Sequence, residues 1–200
     1  MTHAPAQMTP PLSPRAREIA DTAHAILDAH GWEEVTMRAL AAELGIKAPS
    51  LYKHFTSRDA IRAVLIADAL HQSGLALHAA TGSVHELLAA YRAQATARPH
   101  LYRLATSGEL PRDQLPEGLE DWAGTPFFLV TGDPLTAQAL WSFAHGTTML
   151  ELDNRYPPGS DLDALWATGA RTFTPAITPA ATPRTAPNPA VHPPEAARGE

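Results

Sequence analysis

The stretch Leu40-Ala-Ala-Glu-Leu-Gly-Ile-Lys-Ala-Pro-Ser-Leu-Tyr-Lys-His-Phe55 determines how the rest of this chain is interpreted. It predicts a short amphipathic helix, a turn centred on Gly45, and a second short helix. The second helix has an apolar side for packing and an opposite side that is polar. The residues on its polar side are Lys47, Ser50, Tyr52, Lys53 and His54. Groups of this kind suit sugar-phosphate and base edges, so the stretch predicts a segment that binds double-stranded DNA.

Capping signals place this stretch in a bundle of helices. Serine or threonine N-caps and glycine stops predict three helices over 14–30, 37–44 and 46–55. A fourth helix begins in the run 56–59 and extends to about Ala79. At 1.5 Å per residue this helix is about 30 Å long, which is enough to join two domains.

The second half of the chain also contains helix signals, with one interruption. The capping box over 83–86 opens a helix, and clear caps predict two more over 133–153 and 160–173. Between 108 and 132, prolines and glycines interrupt every pattern. The apolar run 127–130 inside that segment is compatible with a buried helical turn or with a short extended piece.

These elements predict an all-α protein. An N-terminal three-helix helix-turn-helix DNA-binding domain is joined by a long helix to a C-terminal helical domain. The predicted divisions are a disordered arm over 1–13, the DNA-binding domain over 14–60, the C-terminal helical domain over 61–173, and a disordered tail rich in proline and alanine over 174–200.

Charge and composition favour a cytoplasmic DNA-binding protein. The net charge is −6, but residues 36–62 carry five bases against two acids, and the other 173 residues carry ten bases against nineteen acids. A small positive surface on an acidic body directs one face toward phosphates. The absence of cysteine excludes disulfides and thiolate metal sites. No signal peptide is expected, and no apolar run reaches the roughly 20 residues of a membrane span.

Particular contacts with DNA follow from this arrangement. Thr36 and Arg38 begin the helix before the turn and are expected at phosphates, and Arg58 is expected at a phosphate on the other flank. Base selection is expected from Lys47 and its neighbours. The predicted DNA-binding residues are Thr36, Arg38, Lys47, Ala48, Pro49, Ser50, Tyr52, Lys53, His54 and Arg58. The alternative is an ordinary three-helix subdomain with a polar surface.

The same residues resemble the N-terminal domain of TetR-family transcriptional regulators. The resemblance spans residues 15–70 and is carried by the motifs over 36–46, 48–55 and 57–58. It implies that the matching positions contact DNA, namely Thr36, Arg38, Lys47, Ser50, Tyr52, Lys53, His54 and Arg58. It also implies an all-helical homodimer that is usually a repressor released by a small ligand bound in the C-terminal domain. On this resemblance, residues 61–173 are expected to form a helical ligand-binding and dimerisation domain. The run 141–146 resembles the tryptophan, histidine and glycine signature of one C-terminal class.

Two further surfaces are predicted in the C-terminal half. Aromatic residues around a few polar groups predict a ligand pocket lined by His100, Tyr102, Trp122, Phe127, Phe128, Trp141, His145 and Met149. The last two strong helices predict a dimer interface of Leu140, Ala144, Leu162, Leu165, Trp166, Gly169 and Phe173. In each case the alternative is that these side chains pack the core of the protomer.

Other functional classes are less well supported by the sequence. His71, His78 and His85 are seven residues apart but need not share a face, so no metal site and no cofactor beyond a small-molecule effector is expected. No catalytic motif is present, so the chain is not expected to be an enzyme. Two alternatives remain: a ligand-insensitive DNA-binding or architectural protein, and a helical small-molecule-binding or modifying protein that retains a helix-turn-helix.

Overall fold

A computed structural model describes residues 12–174 and confirms the predicted all-α fold. Within that range the chain forms nine α-helices and two single 3₁₀ turns. The helices are α1 (Pro14–His30), α2 (Met37–Glu43), α3 (Ala48–Leu51), α4 (Arg58–Ala79), α5 (Val84–Ala97), α6 (Pro99–Thr106), α7 (Leu119–Thr131), α8 (Pro134–Leu152) and α9 (Leu162–Phe173). None of them is long and apolar enough to cross a membrane.

The N-terminal core is larger than the sequence suggested. It contains buried residues of α1, α2, α3 and the first half of α4, as predicted, and also Leu101 and Leu104 of α6. Helix α6 therefore packs against α1 and α4. The boundary proposed at residue 60 falls near the start of α4, which continues without a break through this core and reaches a second core at Leu77.

Helices α4 and α7 pack in unusually close contact. Gly74 of α4 lies against the Trp122 ring, and a Cβ on that glycine would stand 2.2 Å from a ring carbon. Pro126 lies inside α7 and has no N–H to donate to the Trp122 carbonyl, four residues earlier. His78 of α4 lies 3.0 Å from that carbonyl through Nε2 and stacks on the indole. The unpaired carbonyl that a proline creates in α7 is thus satisfied from α4.

This packing resolves the segment that the sequence left open. The run 127–130 is helical, as part of α7, and Pro126 is buried within the helix. A second core then forms among α5, α7, α8 and α9, with Leu87 and Leu140 fully buried. Arg92 of α5 holds Glu151 of α8 at 2.7 Å, at the edge of this core.

Several predicted bounds need adjustment. Leu12 and Ser13, assigned to the arm, belong to the folded unit, because Leu12 packs on the N-terminal core and Ser13 caps α1. Thr174, assigned to the tail, donates its N–H to the Ala170 carbonyl at the end of α9. The predictions for residues 1–11 and 175–200 concern residues outside the described range.

Candidate DNA-binding surface

The turn between α2 and α3 is a left-handed helix stop. Gly45 has φ +62°, a conformation that glycine adopts without steric cost. Its N–H donates to the Ala42 carbonyl at 3.2 Å, and the Ile46 N–H donates to the Ala41 carbonyl at 2.9 Å. This pair of bonds is a Schellman motif, which satisfies the last carbonyls of α2 and redirects the chain. The angle between α2 and α3 is therefore determined locally.

Helix α3 is shorter than the predicted helix over 46–55. Only Ala48–Leu51 are α-helical, with Lys47 as N-cap, and the chain then tightens into turns. The Leu51 carbonyl accepts two N–H groups, that of His54 at 2.9 Å and that of Phe55 at 3.0 Å, in a tightened last turn. The short helix is held from beneath, because the side chains of Leu51 and Phe55 are buried.

Most of the predicted DNA-binding residues face outward from this scaffold. The exposed members are Arg38, Lys47, Pro49, Tyr52, Lys53 and His54, and the half-buried ones are Thr36, Ala48, Ser50 and Arg58. The Tyr52 side chain, with 53% of its surface exposed, is a large apolar group that the protomer leaves uncovered. The exposed DNA-binding residues therefore form a surface above the buried side chains of Leu51 and Phe55.

The positive charges on this surface are available to an external partner. Within residues 12–174, Arg38, Lys47 and Lys53 make no ion pair. Thr36 caps α2 by accepting the Ala39 N–H at 3.1 Å, and the other first-turn N–H groups of α2 point the same way. Unpaired cations beside a helix N-terminus favour a polyanion.

Arg58 differs from the other basic residues of the region. Its Nε donates to the Val35 carbonyl at 2.7 Å, and its Nη2 donates to the Trp32 carbonyl. The guanidinium also lies over the Trp32 ring, 4.3 Å from the ring centre. The side chain is therefore engaged with the 3₁₀ turn over Trp32–Glu34.

A charged cluster around buried Asp68 connects the DNA-binding helices to the rest of the molecule. Asp68 of α4 is buried and accepts from Arg17 of α1 at 2.9 Å and from His24 of α1 at 3.3 Å. Arg98, between α5 and α6, lies 3.3 Å from His24 Nδ1 and pairs with Asp28 at 2.7 Å. Because arginine only donates, His24 Nδ1 must accept, and the proton lies on Nε2.

The net electrostatic effect on Asp68 favours its charged form. Burial acts to raise the pKa of the carboxyl, but the hydrogen bond from His24 and the charge and hydrogen bond of Arg17 outweigh burial and lower the pKa below its ordinary value. The cluster was not identified from the sequence, because its members are 44 to 74 residues apart.

The C-terminal half contains a chain of hydrogen bonds inside the apolar core. The Tyr91 and Tyr102 hydroxyls are 3.0 Å apart, and Tyr102 is 2.8 Å from His145 Nδ1. Burial lowers the pKa of His145, which favours the neutral imidazole. Thr148, three residues after His145 on α8, is fully buried, and its hydroxyl has no hydrogen-bond partner within the described residues. Trp141 stacks on His145 and leaves 48% of its surface exposed.

The predicted ligand-pocket residues do not form one group. Tyr102, Trp141 and His145 are in contact, and Phe127 joins them through Tyr91. Met149 lies one turn beyond His145 on α8. Three other members lie elsewhere: His100 beside Gly31, Trp122 between His71 and His78, and Phe128 at the surface. The aromatic composition alone did not separate the two faces of α7, on which Phe127 and Phe128 lie.

The predicted dimer interface requires correction. Leu140, Ala144, Trp166 and Gly169 are buried inside a single protomer, and Gly169 lies directly beneath the Phe143 ring. A second copy therefore has no access to these four positions. Leu162, Leu165 and Phe173 are half-buried.

The outward face of α8 is a different set of residues. Leu135, Ala139, Ser142, Gly146 and Leu150 follow one another at spacings of four, three, four and four, which places them on one stripe. All but Gly146 are exposed, and Leu135 exposes 75% of its surface. The sequence contained this signal, but α8 is apolar almost all round, so its inner and outer faces were not distinguishable.

No group of three or more histidine and acidic side chains within residues 12–174 is arranged to hold a metal ion. His71 and His78 instead both pack against the Trp122 ring.

The chain is similar to known regulatory proteins. Residues 19–65 match the profile of the bacterial regulatory proteins of the tetR family. Over 151 residues the chain is 34% identical to the uncharacterized HTH-type transcriptional regulator Rv0681 of Mycobacterium tuberculosis, a match that covers 67% of this chain and 68% of that protein.

Solved structures share the fold. The regulatory protein SCO4313 matches with a TM-score of 0.65 at 23% identity, over 80% of this chain and 94% of that one. The multidrug binding protein EbrR, complexed with imidazole, matches with a TM-score of 0.62 at 22% identity, over 88% and 97%. These likenesses extend beyond the DNA-binding helices to the arrangement of the C-terminal helices.

The Asp68 cluster predicts a pH-dependent contribution to stability. Because the folded pKa of Asp68 is lowered, its contribution is complete above the unfolded carboxyl pKa of about 3.9 and is lost as pH falls through the folded value. Asp68→Asn should lower the free energy of unfolding by about 2 kcal/mol at neutral pH. Urea titrations across pH should show the difference from wild type shrinking below about pH 4.

Asp21→Asn is the matched control, since Asp21 is exposed on α1 and makes no ion pair within the described residues. It should change stability by less than about 0.5 kcal/mol. An Asp68→Asn difference that stays constant with pH would show that the lost stability does not come from the charge.

Proposed function

Because the chain belongs to the TetR family of bacterial regulatory proteins, and is a DNA-binding transcriptional regulator, we propose that it is a ligand-responsive repressor that binds a near-palindromic operator as a homodimer. The observation that supports operator binding most directly is the unpaired set of Lys47, Tyr52 and Lys53 on a short helix anchored by Leu51 and Phe55. This role requires access to the chromosome, so we propose a cytoplasmic location and a regulatory activity in place of an enzymatic one.

Each DNA contact has a proposed role in this function. Arg38 and the capped start of α2 bind phosphate, which determines register without reading sequence. Lys47 and Ser50 reach base edges from the start of α3, and Ala48 and Pro49 are suited to a thymine methyl. Tyr52, Lys53 and His54 extend the contact along the backbone. The near-palindromic operator follows from two-fold symmetry, because each copy of the dimer presents the same surface to one half-site.

Operator binding is tested by two substitutions. Lys47→Ala and Tyr52→Ala should each weaken binding more than about tenfold, because each removes an exposed group that the protomer itself does not use. A DNA duplex is first selected from a random-sequence library with the wild-type protein. Fluorescence anisotropy with this duplex then measures the loss of affinity. Circular dichroism should show unchanged helicity in both variants.

Arg155→Ala is the control for general charge loss, because Arg155 is exposed in the C-terminal half and has no ion pair within the described residues. Wild-type affinity in both Lys47→Ala and Tyr52→Ala would reject the proposed DNA-binding surface.

For the homodimer we propose the outward stripe of α8 as the central contact. The stripe is apolar or small along its whole length, so two copies of α8 can approach closely at Gly146, where an added Cβ would meet no atom within 4 Å. Leu162, Leu165 and Phe173 remain candidates for its edge.

A charge placed on the stripe tests this interface. Ala139→Arg should raise the dimer dissociation constant by about a hundredfold or more, since an unpaired guanidinium in an apolar interface costs several kcal/mol. Analytical ultracentrifugation measures the change. Ala93→Arg, at an exposed alanine of α5, makes the same substitution away from the stripe and should leave the dimer intact. Equal dissociation constants for the two variants would place the interface elsewhere.

We propose that the effector binds at the Tyr91–Tyr102–His145 chain. Its side chains are neutral hydrogen-bonding groups, and the Thr148 hydroxyl beside them has no partner among residues 12–174. An uncharged or weakly polar molecule with an aromatic or apolar body suits this environment, with Phe127 and Trp141 as apolar neighbours. Its binding releases DNA only if the two conformations of the repressor bind it with different affinity.

Thr148→Val tests the effector site. Removing an unpaired buried hydroxyl should raise the free energy of unfolding by about 1 kcal/mol. It should also weaken the response to an effector about tenfold, because the group that the ligand satisfies is gone. Effectors are first identified by thermal shift of the wild-type protein and then tested for release of DNA. A compound that releases the wild-type protein and Thr148→Val from DNA at equal concentrations would exclude this site. A library in which no compound releases the wild-type protein from DNA would contradict ligand response.

A further inference from the structure

The first residue of α4 joins that helix to the start of α2. Arg58 extends its guanidinium back to the 3₁₀ turn, where Nε and Nη2 donate to the Val35 and Trp32 carbonyls. Val35 is fully buried, so its carbonyl has a fixed position. The guanidinium also covers the Trp32 ring, 4.3 Å from the ring centre. Together with the Glu33 carboxylate 3.8 Å from Nη2, four contacts therefore restrain this one side chain.

The two carbonyls flank the residues that lead into α2. The Thr36 N–H donates to the Glu34 carbonyl at 2.9 Å, and the Thr36 hydroxyl then accepts the Ala39 N–H to cap α2. Arg58 thus holds the residue immediately before the N-cap. Because the turn after α2 is fixed by its own hydrogen bonds, the orientation of α2 at its start also determines the orientation of α3.

The contacts require an arginine. The guanidinium presents two donors in one plane and a flat face for the aromatic ring, and a lysine ammonium supplies neither the fork nor the face. A cation at the first position of a helix is unfavourable in itself, because the helix N-terminus is positive. The Val35 and Trp32 carbonyl oxygens and the Trp32 indole face compensate for this unfavourable placement of the positive charge. Arg38 provides the contrast, since it is exposed and has no ion pair within the described residues.

We propose that Arg58 is a positioning residue for DNA binding, which fixes the start of α2 through Trp32 and Val35, and that it is not a phosphate contact. This assignment replaces the phosphate role expected for Arg58 from the sequence. It rests on the DNA-binding function of the domain but not on dimerisation or on an effector.

The test compares conservative and neutral variants at the two arginines. Binding to the selected duplex is measured at several salt concentrations for Arg58→Lys, Arg58→Gln, Arg38→Lys and Arg38→Gln. Both Arg58 variants should weaken binding about tenfold, with the salt slope of the wild-type protein retained. Arg38→Gln should reduce the steepness of log binding constant against log salt concentration by about 0.9, the value of one phosphate contact. Arg38→Lys should retain the wild-type slope.

A second measurement needs no DNA. The protein labelled with 5-fluorotryptophan gives separate ¹⁹F resonances for its four tryptophans, and Trp32→Phe identifies that of Trp32. Arg58→Lys should shift the Trp32 resonance and leave those of Trp122, Trp141 and Trp166 in place. Thermal unfolding of the same samples establishes that each variant is folded. If Arg58→Gln does not fold, Arg58→Lys still tests the proposal, because it keeps the positive charge.

Two results would overturn the proposal. One is wild-type affinity in Arg58→Lys together with a salt slope reduced by about 0.9 in Arg58→Gln, which is the behaviour of a phosphate contact. The other is an unshifted Trp32 resonance in Arg58→Lys. Failure to select any DNA duplex would count against the proposed function, and the ¹⁹F measurement would still decide the contact between Arg58 and Trp32.

Discussion

The contact between Trp122 and Gly74 allows one helix to serve both cores of this protein. Helix α4 contributes Ile61 and Leu65 to the N-terminal core and Leu77 to the C-terminal core, and α7 packs directly on it between them. A side chain at Gly74 would occupy the space of the indole. Since the carbonyl that Pro126 leaves unpaired is satisfied by His78 of α4, the two helices are joined by polar as well as apolar contacts.

The same helix connects the C-terminal half to the elements that carry the DNA-binding surface. Its first residue contacts the turn before α2, and Asp68 in its middle holds Arg17 and His24 of α1. Arg98 extends this cluster to the junction of α5 and α6. A displacement of α4 relative to α1 would separate buried Asp68 from Arg17 and His24, which is energetically costly. The cluster therefore opposes movement of α4 relative to α1.

Signals that act within a few residues were readable from the sequence. Ser13, Thr36, Ser57, Ser83 and Asp133 each cap a helix where the pattern predicted one. Gly45 ends α2 because a left-handed conformation was needed there. The outward placement of Lys47 and Tyr52 also followed from their spacing relative to Leu51 and Phe55. In all of these cases the partner groups lie close together along the chain, so local geometry is sufficient.

By itself, then, the sequence determined the all-helical class, the helix-turn-helix and the residues that it exposes, because capping and helical periodicity are local properties. Tertiary structure decided what depends on partners far along the chain. Pro126 is accommodated in a helix because His78 reaches the Trp122 carbonyl that the proline leaves unpaired, and Arg58 faces Trp32 and Val35 because α4 packs beside that turn. The inner and outer faces of α8 were likewise decided by packing, since Leu140 and Leu135 are equally apolar and only the neighbouring helices determine which one is covered.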